Sequence, residues 1–305
     1  MIRQTSYTLD QVYPALAIVE DQQPPVYEPV PLKDDDDPET AAPNAGSPVP
    51  VTTTVVGIYR LLKSVGGWTG QFRGLKTAMI LHFCTGILSV AVASIPFVPY
   101  LVGSLVAQLL LVQLSTAWLH IVISSRENNV SLFRRLPPFA KAFKATALPI
   151  FLYWAATSAT YEASRLVGYL LSLPMWSFDA PDKVPEMKES DLWKVGPVAL
   201  VSLVMWAVVL VPVQVLLVRV QASLLPADED TIVAFDRSFG GAVDPAIVSG
   251  KGYVDIKNAF NTFPRSSWIR IFFLRIKIFL LTLGLFAIFY GAVVSITLIG
   301  GFFLA

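Results

Sequence analysis

Pro212-Val-Gln-Val-Leu-Leu-Val-Arg-Val-Gln-Ala222 closes a long apolar segment that begins at Val195. Within eleven residues it places a proline, then Gln214, then Arg219 and Gln221. In hydrocarbon the backbone must satisfy its own hydrogen bonds, so such a run reads as a helix. Polar residues at the end of a membrane helix mark a place where something binds or moves.

Working outward, the same test applies to every apolar run. A spanning helix needs about 20 mostly apolar residues. By that measure the chain has five predicted spans, at about 78–95, 100–124, 145–173, 195–218 and 271–304. Composition agrees with an all-α integral membrane protein: 54% of the 305 residues are hydrophobic and only 15% are charged. Soluble domains carry about 25% charged residues. Mean hydropathy is +0.59. A net charge of +1 makes no electrostatic case for nucleic acid as a partner. Cys84, the single cysteine, excludes a disulfide framework or a cysteine zinc site, and His82 and His120 are too few for a histidine metal cluster. No cofactor is expected.

Residues 1–50 are rich in Pro, Asp, Glu and Ala, include Asp34-Asp35-Asp36-Asp37, and read as a disordered acidic tail ahead of a membrane domain over 51–305. They show no basic start followed by an apolar core, the mark of a signal peptide. The run Tyr13–Val19 is too short to span. From Val51 the pattern changes: Val55, Ile58, Leu61, Leu62 and Val65 recur at helical spacing with Arg60 and Lys63, then Gly66-Gly67 stops the helix. This amphipathic helix suits either a membrane surface or the end of the bundle. Basic residues gather before the first span, between the second and third, and at both ends of the loop from Arg219 to Arg270. All fall on one side of a five-span topology, which the positive-inside rule makes the cytoplasmic or matrix side.

Three units share a rhythm of span, basic segment with a short helix, and span, with the first lacking its leading span. Gly67-Trp-Thr-Gly-Gln-Phe72-Arg73-Gly74 precedes one span, and Pro212, Gln214, Arg219 and Gln221 close another. This arrangement resembles a degenerate, divergent mitochondrial carrier. In that family odd spans end in Pro-x-Asp/Glu-x-x-Lys/Arg, commonly continued by x-Arg-x-Gln. Even spans follow Gly-x-x-x-x-aromatic-Lys/Arg-Gly. Residues 67–74 match the second pattern in full. Residues 212–221 keep the proline, arginine and glutamine but carry Gln214 and Leu217 where the family has an acid and a base. The resemblance implies carrier-like repeats in the inner mitochondrial membrane and a small solute of unknown identity. The missing charges remove the family's matrix gate, so a non-transporting adaptor or assembly protein that kept the fold is the rival expectation.

Glu162 and Arg165 lie three apart on one face of the third predicted span, with Tyr161 beside them. Ionisable groups at membrane depth are a site hypothesis, and these three are the substrate-binding candidates; a self-neutralising structural pair is the plainer reading. Arg270, Arg275 and Lys277 open the last span and are expected to snorkel to headgroups, with Trp268 as an interfacial anchor and cardiolipin as a fitting lipid. Ser249-Gly-Lys-Gly252 lacks the hydroxyl residue and preceding strand of a phosphate loop. No catalytic constellation is present, so no enzyme is expected.

Overall fold

Apolar runs without internal acids leave the backbone one satisfactory conformation in hydrocarbon, and every named element of the structure is helical. This computed structural model describes residues 7–21, 50–125, 132–174, 188–226, 229–241, 243 and 252–304. In chain order the helices are α1 (Tyr13–Val19), led by a π-turn over Thr8–Val12, α2 (Val55–Gly66) and α3 (Leu75–Ala93). Then come α4 (Tyr100–Leu110), α5 (Val112–Ile123) and α6 (Phe139–Leu170). α7 (Val195–Met205), α8 (Val211–Ser223), α9 (Ile256–Asn261) and α10 (Arg265–Leu304) complete the set. Among the described residues the only β pairing is an isolated bridge, Ser124 with Thr231.

The all-helical class stands, with helices able to cross a membrane, while among the described residues three or four stretches, not five, meet that measure. Three stretches are long and apolar enough to cross a membrane: Thr69–Ala93, Glu189–Ser223 and Arg265–Ala292. A fourth exists if α4 and α5, bent by 60° at Leu111, are one span. The expected third span, 145–173, falls mostly on the 32-residue α6, which ends at Leu170 and is not among these stretches. Its Lys141, Lys144, Glu162 and Arg165, with many Ala, Ser and Thr, dilute its hydropathy. The last helix starts at Arg265, six residues ahead of its predicted start at 271, because Pro264 sets its beginning.

Helices pair through small residues and hydroxyls. α3 and α4 form a hairpin across the Pro96–Pro99 turn, where a Cβ on Gly103 would stand 2.5 Å from the Ser89 carbonyl oxygen. Such small residues let two backbones approach closely. Trp154 Nε1 on α6 donates to Ser104 Oγ at 3.0 Å, and Ser164 Oγ meets Ser202 Oγ of α7 at 2.7 Å. Pro212 sits in the first turn of α8, just after a π-turn over Trp206–Leu210. The wider turn accommodates the proline's missing amide, so helicity continues from Val195 to Ser223 without a break.

The largest departure from expectation concerns the amino terminus. Within residues 1–50, read as a disordered tail, the described stretch Tyr7–Asp21 is instead helical over Thr8–Val19, and all seven residues of α1 are buried. The acidic run Asp34–Asp37 lies outside the described residues. α1 packs against α5, α8 and α10, with Val12, Leu16 and Ile18 fully buried beside Ile58, Leu62, Val215, Ile271 and Leu274. Each such side chain contributes about 1.5–3 kcal/mol. Composition averaged over fifty residues conceals a seven-residue apolar run that cannot span a bilayer but can fill a cleft between helices. α2 ends at Gly67, whose φ of +60° a glycine adopts freely. Its Ile58 and Leu62 join the core while Arg60 and Lys63 stay exposed, so α2 packs on the bundle.

Candidate functional site

Basic side chains that would be costly alone in an apolar bundle find carbonyls and rings at one end of it. Arg73 follows the short 3-10 turn Thr69–Phe72 and reaches the end of α5, where Nε donates to the Ile121 carbonyl at 2.5 Å and Nη2 to that of Ser124. Carbonyls at a helix C-terminus lack intrahelical partners, which makes a cation their natural neighbour. Gly74 caps α3 with φ +75°, and a Cβ there would lie 3.1 Å from the Tyr7 hydroxyl. Tyr7 in turn donates to the Arg73 carbonyl at 2.8 Å and accepts from Trp118 Nε1 at 2.8 Å. Tyr13 donates to Gln71 Oε1 at 3.0 Å, and Thr8 Oγ1 to the Gln71 carbonyl at 2.8 Å. The segment Gly67–Gly74, with Phe72 half-buried in it, is therefore the dock for α1.

Burial raises the pKa of both phenols, that of Tyr13 to about 12, where Tyr59 adds to the effect. Both keep their protons, as their donor roles require.

The second signature stretch is equally committed to internal contacts. Arg219 Nε donates to the Ala259 carbonyl and Nη2 to Thr262 Oγ1, both at 2.9 Å, closing the end of α9. Its guanidinium stacks 4.8 Å from the Phe239 ring and 4.9 Å from that of Phe263. Gln221 Nε2 reaches Ser115 Oγ at 3.1 Å, and its carbonyl meets His120 Nε2 at 2.9 Å. Gln214 Oε1 accepts from Arg275 Nη2 of α10.

Two of the three cations at the start of α10, Arg270 and Arg275, are buried and do not reach outward as expected. Arg270 is buried and ion-paired with Glu20 at 3.2 Å, and its Nη2 donates to the carbonyls of Ala17 at 3.1 Å and Glu20 at 2.6 Å. Glu20 also accepts from the amides of Val51 at 2.8 Å and Thr52 at 3.0 Å and from Thr52 Oγ1 at 2.5 Å. Arg275 is buried against Gln214, with the Trp206 ring 5.9 Å away and the Asp10 carbonyl at 3.5 Å. Only Lys277 of the three is exposed. Trp268 packs on Phe260, Phe263 and Phe272. For Arg270 the reason is α1, whose C-terminal carbonyls and Glu20 offer a closer partner than headgroups, while Arg275 is held by Gln214 and the Asp10 carbonyl. Sequence offered one signal for this, the adjacent acids Glu20 and Asp21 placed directly after an apolar run.

The three substrate-binding candidates lie elsewhere. Glu162 and Arg165 do form the i,i+3 pair, at 3.2 Å, but their side chains are 58% and 55% exposed. Arg165 stands 5.6 Å over the ring of Tyr161, itself 59% exposed. All three are on the outer face of α6, and neither described cavity is lined by them. The signature residues and the candidate residues are thus separated: Gln71 and Arg73 meet Tyr7, Thr8 and Tyr13; Gln214, Arg219 and Gln221 brace α10, α9 and α5; and the candidates remain on the surface.

A wide cavity also opens at the basic end, between the end of α5, the segment entering α6 and the turn after α8. Comparison of the chain with family models, curated proteins and solved structures returns no match.

Proposed function

We propose that this chain is a non-transporting integral membrane protein, an adaptor or assembly factor whose bundle is closed at its basic end by its own amino-terminal helix. The observation that carries this reading is the burial of α1 among α5, α8 and α10, where Val12 and Leu16 are wholly inaccessible. A helix packed into one end of the bundle leaves less room there for a solute to pass. The uses made of Arg73, Arg219, Gln221 and Gln214 support it too, since each braces an element instead of facing an open lumen. The carrier-like features of residues 67–74 and 212–221 fit descent from that family, and with it the inner mitochondrial membrane and contact with cardiolipin.

One observation favours the rival reading of solute transport. Arg275 places a cation inside the bundle against a neutral amide oxygen, and buried membrane charges often belong to a translocation path. In that case α1 would be the moving part. Reconstitution of the full chain into liposomes with a panel of anionic, zwitterionic and cationic solutes decides between them. The adaptor reading expects uptake equal to that of protein-free liposomes for every solute. Saturable uptake of any one, lost on Gln214→Leu, would overturn it.

A further inference from the structure

The cavity at the basic end measures about 690 Å³, within the range of about 300–1,000 Å³ that small-molecule sites occupy. Its charged lining is one-sided. Arg134, Arg135, Lys141 and Arg237 face it against a single carboxylate among the described lining residues, Glu229, a ratio of four to one. Arg237 spends its hydrogen bonds on neutral carbonyls, that of Pro226 at 2.5 Å and that of Glu229, so its charge is retained. Arg134 and Lys141 are exposed at the edge. The amino terminus of α6 enters the same space through Pro137 and Pro138, and Pro138 at the cap has no side-chain oxygen to occupy the free amides. The positive end of a 32-residue helix therefore adds to the field. The remaining wall is mostly apolar, from residues such as Leu136, Leu224, Leu225 and Val243.

A cationic edge on an apolar wall matches a ligand with an anionic head and an apolar body. We propose that this cavity binds an amphipathic phosphate, its head held by Arg134 and Lys141 and its body laid against Leu136, Leu225 and Val243. Bare phosphate would leave most of the volume to water, and an uncharged amphiphile would draw nothing from the charges of Arg134 and Lys141. The head can come from a phospholipid of the surrounding leaflet or from a soluble phosphate ester, since the recognising chemistry is the same. This inference stands apart from the adaptor reading, because a site at the bundle's end serves a transporter or an adaptor equally.

The test uses the full chain in zwitterionic nanodiscs, titrated calorimetrically with hexyl phosphate, inorganic phosphate and hexanol. Hexyl phosphate is expected to bind roughly tenfold or more tightly than either fragment, the scale of one charged hydrogen bond. The double variant Arg134→Gln/Lys141→Gln should lose roughly tenfold in affinity with an unchanged melting temperature. The charge-matched control Arg60→Gln/Lys63→Gln, on the exposed face of α2, should lose nothing. Equal affinity for hexanol or for inorganic phosphate, or equal losses in the two double variants, would overturn the proposal. Nanodiscs containing an anionic phospholipid identify the source: suppressed hexyl phosphate binding supports the site as a headgroup site, and unaffected binding supports a soluble ligand.

Discussion

Replacing Glu20 by alanine tests whether the amino-terminal helix is part of the core or an appendage. The carboxylate is shared by Arg270, by the amides of Val51 and Thr52 and by the Thr52 hydroxyl, and the two ion-paired side chains are 4% and 5% exposed. Removing one partner of a buried pair costs about 3–5 kcal/mol because the other charge is left without compensation. Arg270 keeps the carbonyls of Ala17 and Glu20, which argues for the lower end, about 3 kcal/mol. The fully buried Thr52 loses acceptors for its amide and hydroxyl, adding about 1 kcal/mol. The total of about 4 kcal/mol is a large part of the roughly 5–15 kcal/mol that stabilises a typical fold. At about 2–4 °C per kcal/mol for chains of a couple of hundred residues, the melting temperature should fall by about 10 °C. Tryptophan fluorescence of the full chain in mild detergent reads this directly. The companion Arg270→Met and the double variant complete a thermodynamic cycle, in which a coupling of at least about 1 kcal/mol is expected. A melting temperature for Glu20→Ala within about a degree of the parent would refute the reasoning, and with it the placement of α1 in the core.

Other expectations follow from the same contacts. Tyr7→Phe keeps the ring but strands Trp118 Nε1 and the Arg73 carbonyl, so thermal unfolding should show a loss of about 1–3 kcal/mol. The raised phenol pKa of Tyr13 has a defined sign: its contribution is complete below the ordinary value of 10 and is lost as pH rises toward its folded value of about 12. Stability followed by fluorescence from pH 8 to 12 should therefore decline above about 10, and less steeply in Tyr13→Phe. Gln214→Leu leaves Arg275 without its amide partner and should cost about 2–3 kcal/mol, whereas Glu162→Gln, in an exposed pair, should cost under about 1 kcal/mol. A larger effect at Glu162 than at Gln214 in parallel melts would reverse the assignment of which polar residues the bundle depends on. Gly103→Val places methyl groups against the Ser89 carbonyl and should open the α3–α4 hairpin, detectable as faster proteolysis at Arg73 or Lys76.

Local patterns in the chain were enough to specify its helices. Runs of apolar residues longer than a bilayer's core, free of acids, permit little else, and Gly67 and Pro264 set helix limits that the structure keeps. The clustering of Arg73, Arg134, Arg135, Arg219 and Arg270 outside or at the ends of apolar runs also identified a basic end. What those residues touch was not legible, because each partner is distant: Glu20 and Arg270 are 250 positions apart, and Tyr7 and Trp118 are 111 apart. The bend at Leu111 carries no proline or glycine to announce it. Residues 212–221 illustrate the division. Their order specifies a helix with polar groups at its end, but whether those groups face a lumen or brace neighbours depends on what occupies the space beside them. Tertiary structure decided that by bringing α5, α9 and α10 beside them, where Ser115, His120, Ala259, Thr262 and Arg275 take up the polar groups. Hydropathy measures each segment's transfer from water separately, while burial of a seven-residue helix depends on a cleft that exists only after the longer helices have packed.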